Sequence, residues 1–202
     1  MSSKKIDVVL TDEQTEWLEE KNLLLNHAYN YIFDYRERVK TVYPDITVMQ
    51  LTAWGLQLRE ENECLFDIPT KMYDLMLYDL HCELRNLVSI KPGVAFSHRI
   101  PHHVHRMLFD QFELKDDYVV LEHVGPIKIG SYEEGDYNSV SLTKNWGGKG
   151  KQWQCWLNRK NRVDSFSHTL LLAREHCRGG DVGLTFANNR YIGDIPGPGG
   201  RK

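Results

Sequence analysis

Lys5-Ile6-Asp7-Val8-Val9-Leu10-Thr11-Asp12-Glu13-Gln14 is the stretch on which the fold turns. Lys5 to Leu10, rich in β-branched residues, reads as a short strand. Thr11 and Gln14 then form a capping-box pattern, in which each side chain satisfies a backbone N–H of the other and a helix begins. A strand that passes at once into a helix makes the chain a mixed α and β protein from its first residues.

Outward from Gln14, Leu18, Lys21, Leu25, Ala28, Tyr29, Ile32, Tyr35 and Val39 recur on one helical face. At 3.6 residues per turn this is a helix of about eight turns. Pro44 closes it. Thr47 and Gln50 repeat the capping arrangement ahead of Leu51, Trp54 and Leu58. A third helix is expected near Pro69, since proline at a first helical position gives up only an N–H that would be unpaired there. Met72, Met76, Leu80, Leu84 and Leu87 carry its buried stripe.

Past Lys91-Pro92-Gly93 the periodicity changes to short strands. The candidates are Phe112 to Leu114, Tyr118 to Leu121, Ile127 to Ile129, Val140 to Leu142 and Gln152 to Leu157. Asp116-Asp117 and Gly147-Gly148 to Gly150 are the expected tight connections. Residues 164–178 return to helical spacing. The fold expectation is α+β: a small β-barrel, OB-like, with a three-helix insertion after its first strand, because closing a sheet removes exposed edges. The corresponding division is 1–10 for the first barrel strand, 11–90 for the helical insertion, 91–160 for the barrel and 161–202 for a linker and one further strand.

With 202 residues and 41% hydrophobic content the chain can bury a core. Cys64, Cys82, Cys155 and Cys177 form no Cys-x-x-Cys pair, and the opening residues lack the apolar core of a secretory signal. A reducing, cytoplasmic setting with free thiols is expected. No apolar run approaches the roughly 20 residues of a membrane-spanning helix, so no membrane is expected either.

The formal charge of −3 hides an asymmetry. Residues 1–90 hold 9 basic and 16 acidic side chains, a net of −7, whereas residues 91–202 hold 16 and 12, a net of +4. From Lys144 onward the balance is 11 against 4, or +7. Local positive density governs phosphate binding, because each neutralised phosphate releases counterions. Lys144, Lys149, Lys151, Arg159, Lys160 and Arg162 flank a hairpin with Trp146, Trp153 and Trp156. Those cations suit phosphates, and the rings offer faces on which unpaired bases stack. The plainer reading makes the lysines solvated and the tryptophans core. Trp153 and Trp156 fall on opposite strand faces by their odd spacing, and Trp153 is the one expected inside.

His98, His102, His103 and His105 cluster after Pro92. They could hold a metal, touch phosphates when protonated, or be an ordinary polar loop. Asp181, in Gly180-Asp181-Val182-Gly183-Leu184-Thr185, is a carboxylate between glycines where a strand is expected to begin. It is either a metal ligand or a turn residue. Two-metal phosphodiester chemistry needs several carboxylates, and a single one holds Mg²⁺ poorly. The expectation is no catalysis by this chain on its own and no cofactor, with Mg²⁺ entering only if a partner completes the site in trans.

Several of these pieces resemble, in order, the transposon-encoded RNA-guided TnpB nucleases. The opening strand, the Thr11-x-x-Gln14 helix start and Asn26-His27-Ala28-Tyr29-Asn30 are similar to that family's beginning. So are Leu65-x-x-Ile68-Pro69-Thr70 followed by Leu80, Leu121-Glu122-His123-Val124-Gly125-Pro126-Ile127-Lys128-Ile129, the hairpin Gly150-Lys151-Gln152-Trp153, and Gly180-Asp181-Val182-Gly183-Leu184. The resemblance implies a wedge barrel and an inserted recognition lobe, as in type V CRISPR effectors, holding structured guide RNA or an RNA–DNA hybrid. It implies a RuvC-like domain of which Asp181 alone is carried over. Glu122 and His123 stand where the family shows proline and lysine, and the helices are acidic where the family is basic.

The leading expectation is therefore an N-terminal lobe that binds RNA without cutting it. The alternatives are a protein-interaction module of mobile-element or viral origin, meeting a nuclease or other partner through the acidic helices 11–90, and one half of a split nuclease.

Overall fold

The computed structural model describes residues 3–42, 46–88, 106–145, 152–159 and 163–179. Strand β1 (Ser3–Val9) is followed by helices α1 (Asp12–Val42), α2 (Val48–Glu61), the single turn α3 (Glu63–Phe66) and α4 (Thr70–Val88). Strands β2 (Arg106–Phe109), β3 (Phe112–Lys115), β4 (Tyr118–Leu121), β5 (Gly125–Ile129), β6 (Ser139–Asn145) and β7 (Gln152–Asn158) come next, and then α5 (Val163–Gly179). The chain is α+β, with all of α1 to α4 inserted between the first two strands. None of the described helices is long and apolar enough to cross a membrane.

Both capping boxes form. Thr11 N–H donates to Gln14 Oε1 at 3.0 Å, and Gln14 N–H donates to Thr11 Oγ1 at 3.2 Å. Thr47 and Gln50 make the same exchange at 2.9 and 3.2 Å. Pro69 sits one residue ahead of the first helical position, where its carbonyl accepts from Tyr73 N–H at 3.2 Å.

The expected apolar stripes are buried: Leu18, Leu25, Ala28, Tyr29 and Ile32 on α1, Leu51, Trp54 and Leu58 on α2, and Met72, Met76, Leu80 and Leu84 on α4. The side chains of Val39 and Leu87 lie outside the described residues. Lys21 is also buried on this stripe, its ammonium 3.0 Å from Glu20 and 5.7 Å from the Trp17 ring. Helix α4 is central and touches α1, α2, α5 and β2. At Gly55 the helices approach so closely that an added Cβ would lie 2.4 Å from Leu77 Cδ2 and 3.0 Å from Ile32 Cδ1.

All the described strands pair antiparallel in one sheet of seven, in the order β2-β6-β7-β1-β5-β4-β3. Strand β1 joins its two halves, since Ser3 to Asp7 pair with β7 while Val8 and Val9 pair with β5. A strand that passes between two sheets in this way turns a corner. The end strands β2 and β3 are consecutive in the chain and linked only by Asp110 and Gln111. Phe109 and Phe112 can therefore be no more than about 11 Å apart, and the sheet must roll.

It does not close. The described strands include no ladder between β2 and β3, so the expected small barrel is corrected to an open, rolled sheet. Among the described residues, β2 is a strand that the sequence reading does not name. The run Met107-Leu108-Phe109 in β2 lacks alternation because both of its faces are covered, Met107 and Phe109 by the sheet core and Leu108 by Leu75 and Val163.

The concave face is lined by Ile6, Val119, Leu121, Ile127, Ile129, Val140, Leu142, Trp153, Cys155 and Leu157. These residues belong to one continuous hydrophobic core with the helical stripes. Helix α1 is fastened to the rim by Gln14 Nε2, which donates to the carbonyls of Val124 (3.3 Å) and Pro126 (2.8 Å), and by Trp17 stacked on His123. Cys64, Cys82 and Cys155 are free thiols, and burial pushes the Cys155 thiol up to about 12.

Candidate nucleic-acid interface

The β6–β7 ladder fixes where the predicted contacts point. Lys144 stands opposite Trp153, Leu142 opposite Cys155 and Val140 opposite Leu157, all on the concave side. The alternation of β6 therefore carries Lys144 inward with Val140 and Leu142. Its side chain is 1% exposed, its ammonium pairs with Glu19 of α1, and it lies 5.8 Å from the Trp153 ring. Lys144, expected among the phosphate contacts, instead ties α1 to the sheet. Trp153 is buried, as its spacing suggested, and its indole N–H has no partner among the described residues.

Trp156 projects from the convex side. It is half-buried and stands in register between Lys5 of β1 and Ser141 of β6. Ser3, Asn158 and Ser139 form the row on one side of it, and Asp7, Gln154 and Thr143 the row on the other. The neighbours of the indole in register are polar, but Ser139 and Ser141 are buried, so the open part of this face is Ser3, Lys5 and Asp7 of β1 beside the half-buried Trp156. Asn158 Nδ2 donates to Ser141 Oγ at 3.2 Å. Lys5 is exposed beside Trp156, and the sequence reading does not single it out, although the odd-numbered positions of β1 point away from buried Ile6.

Arg159 is exposed just beyond β7, with its guanidinium 5.5 Å from the Tyr137 ring. The guanidinium also lies over Gly135, where an added Cβ would be 2.9 Å from its Nη2. The same loop carries Glu133, Glu134 and Asp136. The setting of Arg159 is thus more acidic than its linear neighbours suggest. Trp146, Lys149, Lys151, Lys160, Arg162 and Asp181 lie outside the described residues, as do His98, His102, His103 and His105. Among the described residues no three His, Cys, Asp or Glu side chains are grouped to hold a metal ion.

A cleft of about 520 Å³ separates the start of α4 from the β2–β3 corner and is lined by Arg59, Phe66, Lys71, Phe109, Asp110 and His123, among others. Its cations face internal acceptors. Arg59 donates to the carbonyls of Leu65 (3.4 Å) and Ile68 (2.7 Å) and to Thr70 Oγ1 (3.2 Å). Lys71 pairs with Asp164 at 2.5 Å and lies 3.9 Å from Asp110. Burial alone would lower the pKa of Lys71, but the Asp164 bond and the charges of Asp164, Asp110 and Asp74 outweigh it and raise it. His123 adopts φ +67°, left-handed backbone that packing on Trp17 helps to hold.

No protein-family model matches the chain, and no curated protein is similar to it.

Proposed function

We propose that the chain is a cytoplasmic nucleic-acid-binding protein, akin to the binding lobe of RNA-guided nucleases, which holds structured RNA or an RNA–DNA hybrid and does not cut it on its own. In this reading the rolled sheet takes the part of the wedge barrel, and the helices between β1 and β2 that of the recognition lobe.

The observation that carries it is Trp156, set on a polar sheet face beside the exposed Lys5. An aromatic ring on such a face is a platform for an unpaired base, worth about 1–3 kcal/mol per stacked base. The 10 basic against 4 acidic residues that follow the buried Lys144 supply the counterpart for phosphates. Affinity for a structured RNA measured across a salt series tests the reading. A fall of log affinity that is linear in log salt is expected, and no affinity at low salt, or none of that slope, contradicts it.

A second reading, a protein-interaction module, is favoured by the net −7 of residues 1–90. Co-purification of a stoichiometric protein partner without RNA would support it over the first.

A further inference from the structure

Six large apolar side chains are exposed among the described residues, and Phe66 (55%), Leu171 (49%) and Leu172 (46%) are three of them. Phe66 ends α3, and Leu171 and Leu172 lie on α5. Leu56, Phe66, Leu170 and Leu171 line one groove of about 340 Å³ between α2, α4 and α5. That volume falls in the range of pockets that take a few side chains or a small ligand.

The charged side chains that line it are Glu60, Asp74 and Arg59. The stretch from Leu56 to Asp74, which supplies most of the lining, holds five acids, Glu60, Glu61, Glu63, Asp67 and Asp74, against two cations, Arg59 and Lys71. Arg59 is directed onto backbone carbonyls and Thr70, and Lys71 onto Asp164 and Asp110.

Asp74 lines the groove although it is only 7% exposed, and Ser167 Oγ donates to its Oδ2 at 2.7 Å. Burial raises its pKa, and the Ser167 bond with the charges of Lys71 and Arg59 does not bring it back. A carboxylate in that condition gains from a further cation.

We propose that this groove docks a basic amphipathic helix of a partner protein, which lays apolar side chains against Leu56, Phe66 and Leu171 and brings a lysine or arginine to Asp74. Helix-in-groove recognition works in this way: apolar anchors at helical spacing supply the affinity, and flanking charges select the partner. The inference rests on the second reading above and adds a site and a partner chemistry to it.

The test uses the full chain and two labelled synthetic helices of about 18 residues, or five turns, one of leucine and lysine and one of leucine and glutamate, followed by fluorescence anisotropy. The lysine peptide is expected to bind saturably and the glutamate peptide not to bind. Leu171→Asp and Phe66→Ser should each weaken binding about tenfold or more, and Asp74→Asn should weaken the lysine peptide similarly. Leu23→Ser, at an exposed leucine on α1, is the control and should change nothing. Circular dichroism establishes that each variant is folded. Lysine-peptide binding indifferent to Leu171→Asp and Phe66→Ser overturns the groove while leaving an acidic docking surface elsewhere. Absence of binding by the lysine peptide, or equal binding of both peptides, overturns the groove and the basic-partner reading together.

Discussion

The helical layer and the rolled sheet solve the same problem by different means. In the helices, local signals and final positions coincide: the Thr11 and Thr47 caps set two starts, and a 3.6-residue stripe then faces the core. In the sheet each strand is short, and its place is set by partners distant in the chain, as when β1 lies between β7 and β5. The two layers nevertheless share one continuous core. Local order and long-range order therefore stand or fall together, and the polar convex face around Trp156 depends on both.

The strongest test of that shared core is Trp153→Ala. Loss of a large buried aromatic costs about 4 kcal/mol. Hydrogen exchange should then show α4 and β7 losing protection together, whereas loss confined to β7 would break the link between the layers. Gly55→Val should follow at about 3 kcal/mol, because a branched side chain has no space against Leu77 and Ile32, and chemical denaturation measures it.

Lys144→Ala comes next, at about 2 kcal/mol, since it removes the buried member of an ion pair whose partner Glu19 is partly solvated. RNA affinity should be unaffected by it at a temperature where the variant is folded. A loss of affinity with full stability would return Lys144 to the binding surface.

The smallest expected effect is a pH dependence at His81. Burial, and secondarily the charge of Arg85, lower its pKa from the usual 6.5, and it sits 3.4 Å from Thr52 Oγ1 and beside Phe166. The folded protein then binds the proton less readily than the unfolded chain. Its contribution is complete above pH 6.5 and is lost as pH falls from there through the depressed value. His81→Gln should flatten that slope in thermal melts between pH 7 and about 5.

What the sequence made legible follows the same division. The helix starts, the buried stripes and the tight Asp116-Asp117 turn between β3 and β4 depend on neighbours within a few residues, and they could be read directly. Strand β2 could not, because Leu108 is buried on the side opposite Met107 and Phe109 and erases the period of two. Sheet closure was likewise hidden, since it depends on whether β2 meets β3 across a rolled edge.

At the candidate site, the inward aim of Lys144 is legible in its even spacing to Val140 and Leu142, whereas its charge alone points to the surface. Lys5 was available from its spacing to Ile6. Its position beside Trp156 was not, because it follows from the register between strands about 150 residues apart. The Phe66–Leu171 groove was beyond reach for the same reason.

The central claim is that Trp156 offers its ring to a base on the convex face. Binding of a structured RNA at low salt, compared among the wild type, Trp156→Phe and Trp156→Leu, tests it most directly. The account predicts that the phenylalanine variant stays within a few-fold of the wild type and that the leucine variant loses about tenfold or more, with unfolding midpoints alike. A leucine variant that binds RNA as tightly as the wild type would contradict it.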